Sequence, residues 1–332
     1  MDIQNRKEIF RFSGERIQNA PQCGKISLIY AAVLIGLSVL SALVNYALGL
    51  SMEQAGGLSN IGTRSVLSAL QTMLPLVQSA VVMCLDLGFA AAMLRIARGQ
   101  YVSPQTLRLG FDRFWVLLRY SIFEGILLFG ILFASIYFGV MIFLATPLSA
   151  GTMEILAPLV SQTSILDASV AIPDEIYAAV LESMIPAYVI CGILACVSAI
   201  PLFYRLRMSR YVIIDKPALG ALAAMRESRK MMRKNCLHLF KLDLRLWWYF
   251  AATAAASILG YGDQLLPLFG VTLPFSAEVG FFLFYALYWV AQFAIFYFLL
   301  PKATVPYALA YDALRPKDEP KNGVVLGNIF QM

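Results

Sequence analysis

Charged side chains are scarce in this chain, and histidine is almost absent. Of 332 residues, 14% are Asp, Glu, Lys or Arg, and His238 is the single histidine. A water-soluble domain carries nearer a quarter charged residues, so this chain lacks the polar surface that solubility requires. One histidine excludes most zinc sites and Ser–His–Asp triads. The five cysteines, Cys23, Cys84, Cys191, Cys196 and Cys236, contain no C-x-x-C pair, and three of them lie inside apolar runs. No disulfide is expected. No G-x-x-x-x-G-K-[ST], H-E-x-x-H or G-x-S-x-G motif occurs, so no phosphate loop, zincin helix or hydrolase elbow is indicated. The reading leans away from an enzyme, and no metal or cofactor is expected. A membrane enzyme built from scattered polar residues stays open.

Apolar residues are abundant: they make up 60% of the chain, and mean hydropathy is +0.72. Crossing a hydrocarbon core takes about 20 apolar residues. Six spans are read, at about 26–50, 66–94, 121–145, 184–203, 246–259 and 279–300. The fifth is short unless it begins inside the preceding helix. Residues 1–25 are polar, and the apolar run after them is too long for a signal peptide. They are read as a cytoplasmic segment, residues 26–314 as the transmembrane domain, and 315–332 as a disordered cytoplasmic tail. Gly56-Gly57 marks an external loop. Residues 147–183 form a longer one, with five carboxylates and no Lys or Arg.

Charge distribution sets the orientation. Lys and Arg number five in residues 1–25, five in 95–119, eleven in 204–245 and four in 302–332; only Arg64, of 26, falls in an external loop. The positive-inside rule then places both termini on the cytoplasmic side of the membrane. The net charge of +6 is accounted for by this side of the membrane, so no nucleic acid is expected.

Two amphipathic cytoplasmic helices are expected. The first starts at Ser103-Pro104, a cap followed by proline at the first helical position. It carries Leu107, Phe111, Phe114 and Leu118 on one face. The second runs from about Ala218 to Leu242, with Leu222, Met225, Met232, Cys236 and Leu239 as its stripe. Its cations are Arg226, Arg229, Lys230, Arg233 and Lys234. Such a face suits anionic lipid headgroups. Docking of a cytoplasmic or membrane protein is an alternative, and so is a plain orientation signal.

Polar groups inside spans form a second set of candidates. Asp86 lies in the second span and Glu124 near the start of the third, with Gln78 above Asp86. Intramembrane carboxylates are costly and mark cavities or polar partners. If the two helices pack together, the pair forms a polar intramembrane site, and the protein is a transporter or permease.

Three stretches bear a resemblance. One runs from Leu87-Gly88 through Arg98-Gly99 to Ser103, Leu107 and Gly110-Phe111. A second comprises Tyr211, Asp215, Pro217, Ala221, Ser228, Met232, Phe240, Leu242 and Asp243. The third is Pro306-Tyr307 with Tyr311. Together they resemble an uncharacterised bacterial multi-pass family, domain of unknown function nine-seven-five, related to the membrane domain found with glycerophosphodiester phosphodiesterases. Lys234 and Arg245-Leu246 depart from its pattern. The resemblance implies six spans and cytoplasmic ends, and no catalytic residue. The residues themselves read Asp215 as a cap for the helix starting near Pro217, and Asp243 as a partner for nearby cations. The expectation is an all-α bundle of six transmembrane helices with two interfacial amphipathic helices. It engages the lipid bilayer, anionic lipids in particular, or a protein partner at the inner leaflet.

Overall fold

The computed structural model describes residues 6–54, 61–162, 174–268 and 276–315. Every regular element among them is helical. In chain order these are α1 (Arg6–Gln18), α2 (Gln22–Gln54), α3 (Ile61–Ala97), a 3-10 turn (Pro104–Arg108), α4 (Leu109–Asp112) and α5 (Phe114–Ala145). There follow α6 (Ala150–Gln162), α7 (Asp174–Ser183), α8 (Ile185–Leu206), α9 (Ser209–Asp215), α10 (Ala221–Met232) and α11 (Cys236–Arg245). Then come α12 (Trp247–Gly260), α13 (Gly262–Leu268), α14 (Ala277–Ala294), a π-helical turn (Ile295–Leu299) and α15 (Leu300–Leu314). The expected Gly56-Gly57 loop lies outside the described residues, as does the tail beyond Arg315.

Among the described residues, five stretches are long and apolar enough to cross a membrane: Gln22–Met52, Gly62–Ala97, Phe114–Ala145, Ile185–Asp215 and Phe282–Leu314. They cover the first four expected spans and nearly all of 279–300. The expected span at 246–259 coincides with α12, which has only 14 residues. At 1.5 Å per residue it rises about 21 Å, less than the roughly 30 Å of a hydrocarbon core.

The chain divides into two compact units, Met1–Arg119 with Arg207–Met332, and Tyr120–Leu206. In the first unit the C-terminal half of α3 is the centre. From Leu87 to Leu94 it is buried on every side, as suits a helix that is apolar all round. It packs against α1, α2, α4, α9, α15 and the 3-10 turn. Two glycines bring the backbones together. A Cβ on Gly88 would overlap the Leu107 carbonyl, and one on Gly110 would overlap the Cys84 carbonyl. Ser103 caps the 3-10 turn, its hydroxyl accepting from the Gln105 amide at 3.2 Å.

The end of α3 is set by Gly99, with φ +72°. Gly99 N–H donates to the Ile96 carbonyl and Gln100 N–H to the Arg95 carbonyl, each at 2.9 Å. This pairing closes a helix around a left-handed glycine. Arg98 is thereby held at the helix end.

The expected helix from Ala218 to Leu242 is two helices, α10 and α11, broken at Arg233–Asn235. Its buried face also differs. Ala221, Ala224, Met225, Ser228 and Met232 turn inward, while Leu222 is 47% exposed. Small side chains let this helix approach its neighbours closely, so residue size outweighed hydrophobicity. Residues 103–118 form the 3-10 turn, α4 and the start of α5 rather than one helix, with Leu107 buried and Phe111 exposed.

The final helix continues past Pro301 and Pro306, which had been expected to end it. The wider turn at Ile295–Leu299 lies where the Pro301 ring would meet the Tyr297 carbonyl, and so relieves that clash. Gly260, Gly262 and Pro267, read as a loop, stand instead at the end of α12 and in α13. The two glycines admit the Tyr288 and Phe284 rings of α14.

The second unit holds most of α5, with α6, α7 and α8. Gly139 faces Cys191, where a Cβ would strike the thiol. Ser135 and Ser198 lie 3.5 Å apart, and Thr152 donates to the Ser183 hydroxyl at 3.0 Å. Phe129 is 69% exposed and Val197 67%, surfaces that water would penalise and lipid would not.

Gly110→Val should lower the unfolding free energy in detergent by at least 1–3 kcal/mol, because the overlap is with backbone. Gly36→Ala, where an added Cβ meets nothing within 4 Å, should cost nothing measurable. Urea or thermal melts of both variants check this.

Candidate functional site

The three stretches that bear the resemblance meet in one polar network in the first unit. At its centre is Asp215, the last residue of α9, with a side chain only 4% exposed. Arg98 donates to Asp215 Oδ1 through Nη1 at 2.9 Å. Its Nε and Nη2 grip Asp312 of α15 at 3.0 and 2.6 Å. Arg315 lies 3.1 Å from Asp215 Oδ2, and the Tyr311 hydroxyl donates to that oxygen at 3.1 Å. Two arginines and two aspartates leave no net charge, and the Arg98 fork gives the geometry direction. Burial alone would lower the Arg98 pKa. The hydrogen bonds to Asp312 and Asp215, with their charges, outweigh burial and raise it above the usual range.

Asp243 of α11 forms a second node. It pairs with Arg207, and the Tyr307 hydroxyl donates to its Oδ1 at 2.5 Å. The Arg207 guanidinium lies 4.2 Å over the Tyr307 ring. Tyr211 stacks on Tyr311 at 5.5 Å and joins the two nodes. Arg113 donates to the Pro217 carbonyl. Lys216 pairs with Glu227 of α10 at 2.7 Å. Ser228 is fully buried on α10.

This geometry corrects one expectation. Asp215 caps no helix: α10 begins at Ala221 with Gly220 at the cap position. The carboxylate is engaged instead by α3 and α15, from which no local sequence signal reaches it. The ends of α3, α9 and α15 are therefore tied together. Each carboxylate is occupied by a cation or a phenol, an arrangement suited to holding helices in register.

Each intramembrane candidate has a hydrogen-bond partner within its own unit. Asp86 accepts from the Tyr30 hydroxyl of α2 at 2.5 Å, and Tyr30 packs on Phe89 with ring centroids 4.4 Å apart. Gln78 donates to Ser38, also on α2, at 3.2 Å. Eight residues of helix, about 12 Å, separate Gln78 from Asp86. Glu124 belongs to the second unit and accepts from Tyr120 at 3.1 Å. Tyr30 is the partner that sequence reading missed; its spacing within the first span held no cue.

The basic candidates sit together on one face. Arg226, Arg229, Lys230, Arg233 and Lys234 are all exposed. Among the described residues none of the five has a carboxylate within ion-pair distance. Helix α1 was also missed. Ile9 and Ser13 are buried along it, and it packs against α15 and α3. Its signal was Ile9, Phe10, Ser13 and Ile17 at helical spacing, diluted by six charged residues between positions 6 and 16.

A family model described as Protein of unknown function (DUF975) matches residues 1–318. No curated protein and no solved structure matches the chain.

Tyr307→Phe should cost about 1.5–3 kcal/mol of stability, the worth of a hydrogen bond to a charged group. In an Asp243→Asn background the same change should cost much less. Thermal unfolding of the two single variants and the double variant in detergent measures this difference.

Proposed function

We propose that this chain, which belongs to the family described as Protein of unknown function (DUF975), engages anionic lipid headgroups at the cytoplasmic face of a bacterial inner membrane. The outer face of α10 supports this reading. Arg226, Arg229 and Lys230 are exposed on it, Arg233 and Lys234 are exposed in the break that follows, none of the five has a carboxylate partner among the described residues, and the opposite face of the helix is buried. The nearby acidic residues Asp215, Glu227, Asp243 and Asp312 are already paired. The α10 charge is thus left to an outside anion. Each such cation near an anionic surface contributes roughly 1 kcal/mol.

The same reading gives the protein six crossings with both ends cytoplasmic. The alternation of Lys and Arg along the sequence supports it, since 25 of 26 fall on one side. The crossing beyond the five long stretches, fifth in chain order, is made by α12 with α13. Their 14 and 7 residues together rise about 31 Å, close to a hydrocarbon core. The relation to the membrane domain found with glycerophosphodiester phosphodiesterases, implied by the resemblance, agrees with work at a lipid surface.

A second reading, transport through a polar intramembrane site, draws on Asp86. A carboxylate within an apolar helix, held by a phenol from α2, is a costly feature to retain without use. Asp86 is its first target, with Gln78 and Glu124 outside that hydrogen bond.

Native mass spectrometry of detergent-purified protein tests the lipid reading. The parent should retain several anionic phospholipids. A variant with Arg226, Arg229, Lys230, Arg233 and Lys234 all changed to Gln should retain markedly fewer, and rising salt should erase the difference. Equal retention in both would refute the reading and leave α10 as an orientation signal or a protein-docking face.

A further inference from the structure

A second cationic feature lies apart from α10. A cleft of about 300 Å³ is lined by Phe10, Ser13, Gly14, Ile17 and Gln18 of α1, with Arg245, Trp248 and Lys302. We propose that it binds the phosphate headgroup of one anionic phospholipid, held between Arg245 and Lys302.

The chemistry of the lining argues for this ligand. Arg245 and Lys302 are exposed, and among the described residues no carboxylate pairs with either. Yet both line a recess rather than an open face. The Arg245 guanidinium is placed 4.7 Å over the Phe10 ring, an attraction that orients it while leaving its N–H groups available. The Ser13 hydroxyl is spent on the Phe10 carbonyl at 2.8 Å, so the charged donors left for an anion are the two cations, beside the Gln18 amide and the Trp248 indole. Gly14 adds no side chain to the lining, and a Cβ there would meet nothing within 4 Å.

Position argues for a lipid rather than a free anion. Gly260 packs on Tyr288 and Gly262 on Phe284, so α12 and α14 run antiparallel. The start of α12 therefore lies beside the end of the apolar run at Leu300. Arg245 precedes the first and Lys302 follows the second, so both cations mark the same edge of the apolar layer. Trp248 lies at that edge too, where amphipathic rings settle at headgroup depth. A headgroup in the cleft would leave its acyl chains beside the apolar layer that α12 enters.

This proposal does not depend on α10, and the experiment separates the two. Native mass spectrometry of the full chain in detergent, titrated with phosphatidylglycerol, should show one tightly held lipid per protein. It should survive in the five-fold α10 variant. It should weaken at least about tenfold in Arg245→Gln/Lys302→Gln, two lost contacts of roughly 1 kcal/mol each. Arg245→Lys/Lys302→Arg, which keeps both charges, should retain it. Gly14→Leu, which fills the cleft without touching a charge, should lose it while melting no lower than the parent. Inorganic phosphate at millimolar concentration should neither bind nor displace the lipid. Absence of a single tight lipid would overturn the proposal, as would its persistence in Arg245→Gln/Lys302→Gln or Gly14→Leu. Displacement by inorganic phosphate would overturn it in favour of a free-anion site.

Discussion

Asp215 carries a side chain withdrawn almost wholly from solvent, and the arrangement of the first unit follows from what occupies its two oxygens. Withdrawing such a carboxylate from water costs several kcal/mol unless its oxygens are occupied. Arg98 and Arg315 supply opposite charge and Tyr311 supplies a hydroxyl. Each donor comes from a different place in the chain: the end of α3 and two sites at the end of α15. The carboxylate thus keeps all three donors only while α3, α9 and α15 hold their mutual positions. Asp243 repeats the device with Arg207 and Tyr307, adding α11. In lipid, apolar side chains gain nothing from meeting each other, so polar contacts and close backbone approach must hold the helices.

Close approach is the work of the glycines. Gly88 and Gly110 let α3 lie against the 3-10 turn and α4 with backbone touching backbone, as small residues do in membrane helix packing. Gly99 stops α3 so that Arg98 stands at its end, and the Arg16 guanidinium occupies the place a Cβ would take. With Asp215, Glu227, Asp243 and Asp312 paired, the cations of α10, Arg245 and Lys302 have no carboxylate partner among the described residues. A single economy of charge therefore underlies both the internal network and the two lipid-facing proposals.

The apolar runs at 26–50, 66–94, 121–145 and 184–203 were legible because length and hydropathy alone decide them. Ser103-Pro104 was legible because a cap is local chemistry. The partners of Asp215 were not. Arg98 lies 117 positions away and Asp312 lies 214 from Arg98, and nothing near either residue announces the pairing. Leu222 misled, since a leucine at helical spacing reads as core while Ala221, Ala224 and Ser228 do the packing. Pro301 misled in the opposite way: proline ends most helices, and only the π-helical turn before it lets this one continue. The stretches bearing the family resemblance pointed to the right residues without revealing that they meet.

The central claim, that Arg98 and Asp215 act as one buried unit tying α3 to α9, is tested most directly by a double-mutant cycle on unfolding in detergent. Arg98→Gln and Asp215→Asn should each destabilise by about 3–5 kcal/mol, because each leaves a buried charge short of a partner. The double variant should then lose much less than the sum. Additive losses, or single variants as stable as the parent, would contradict the account.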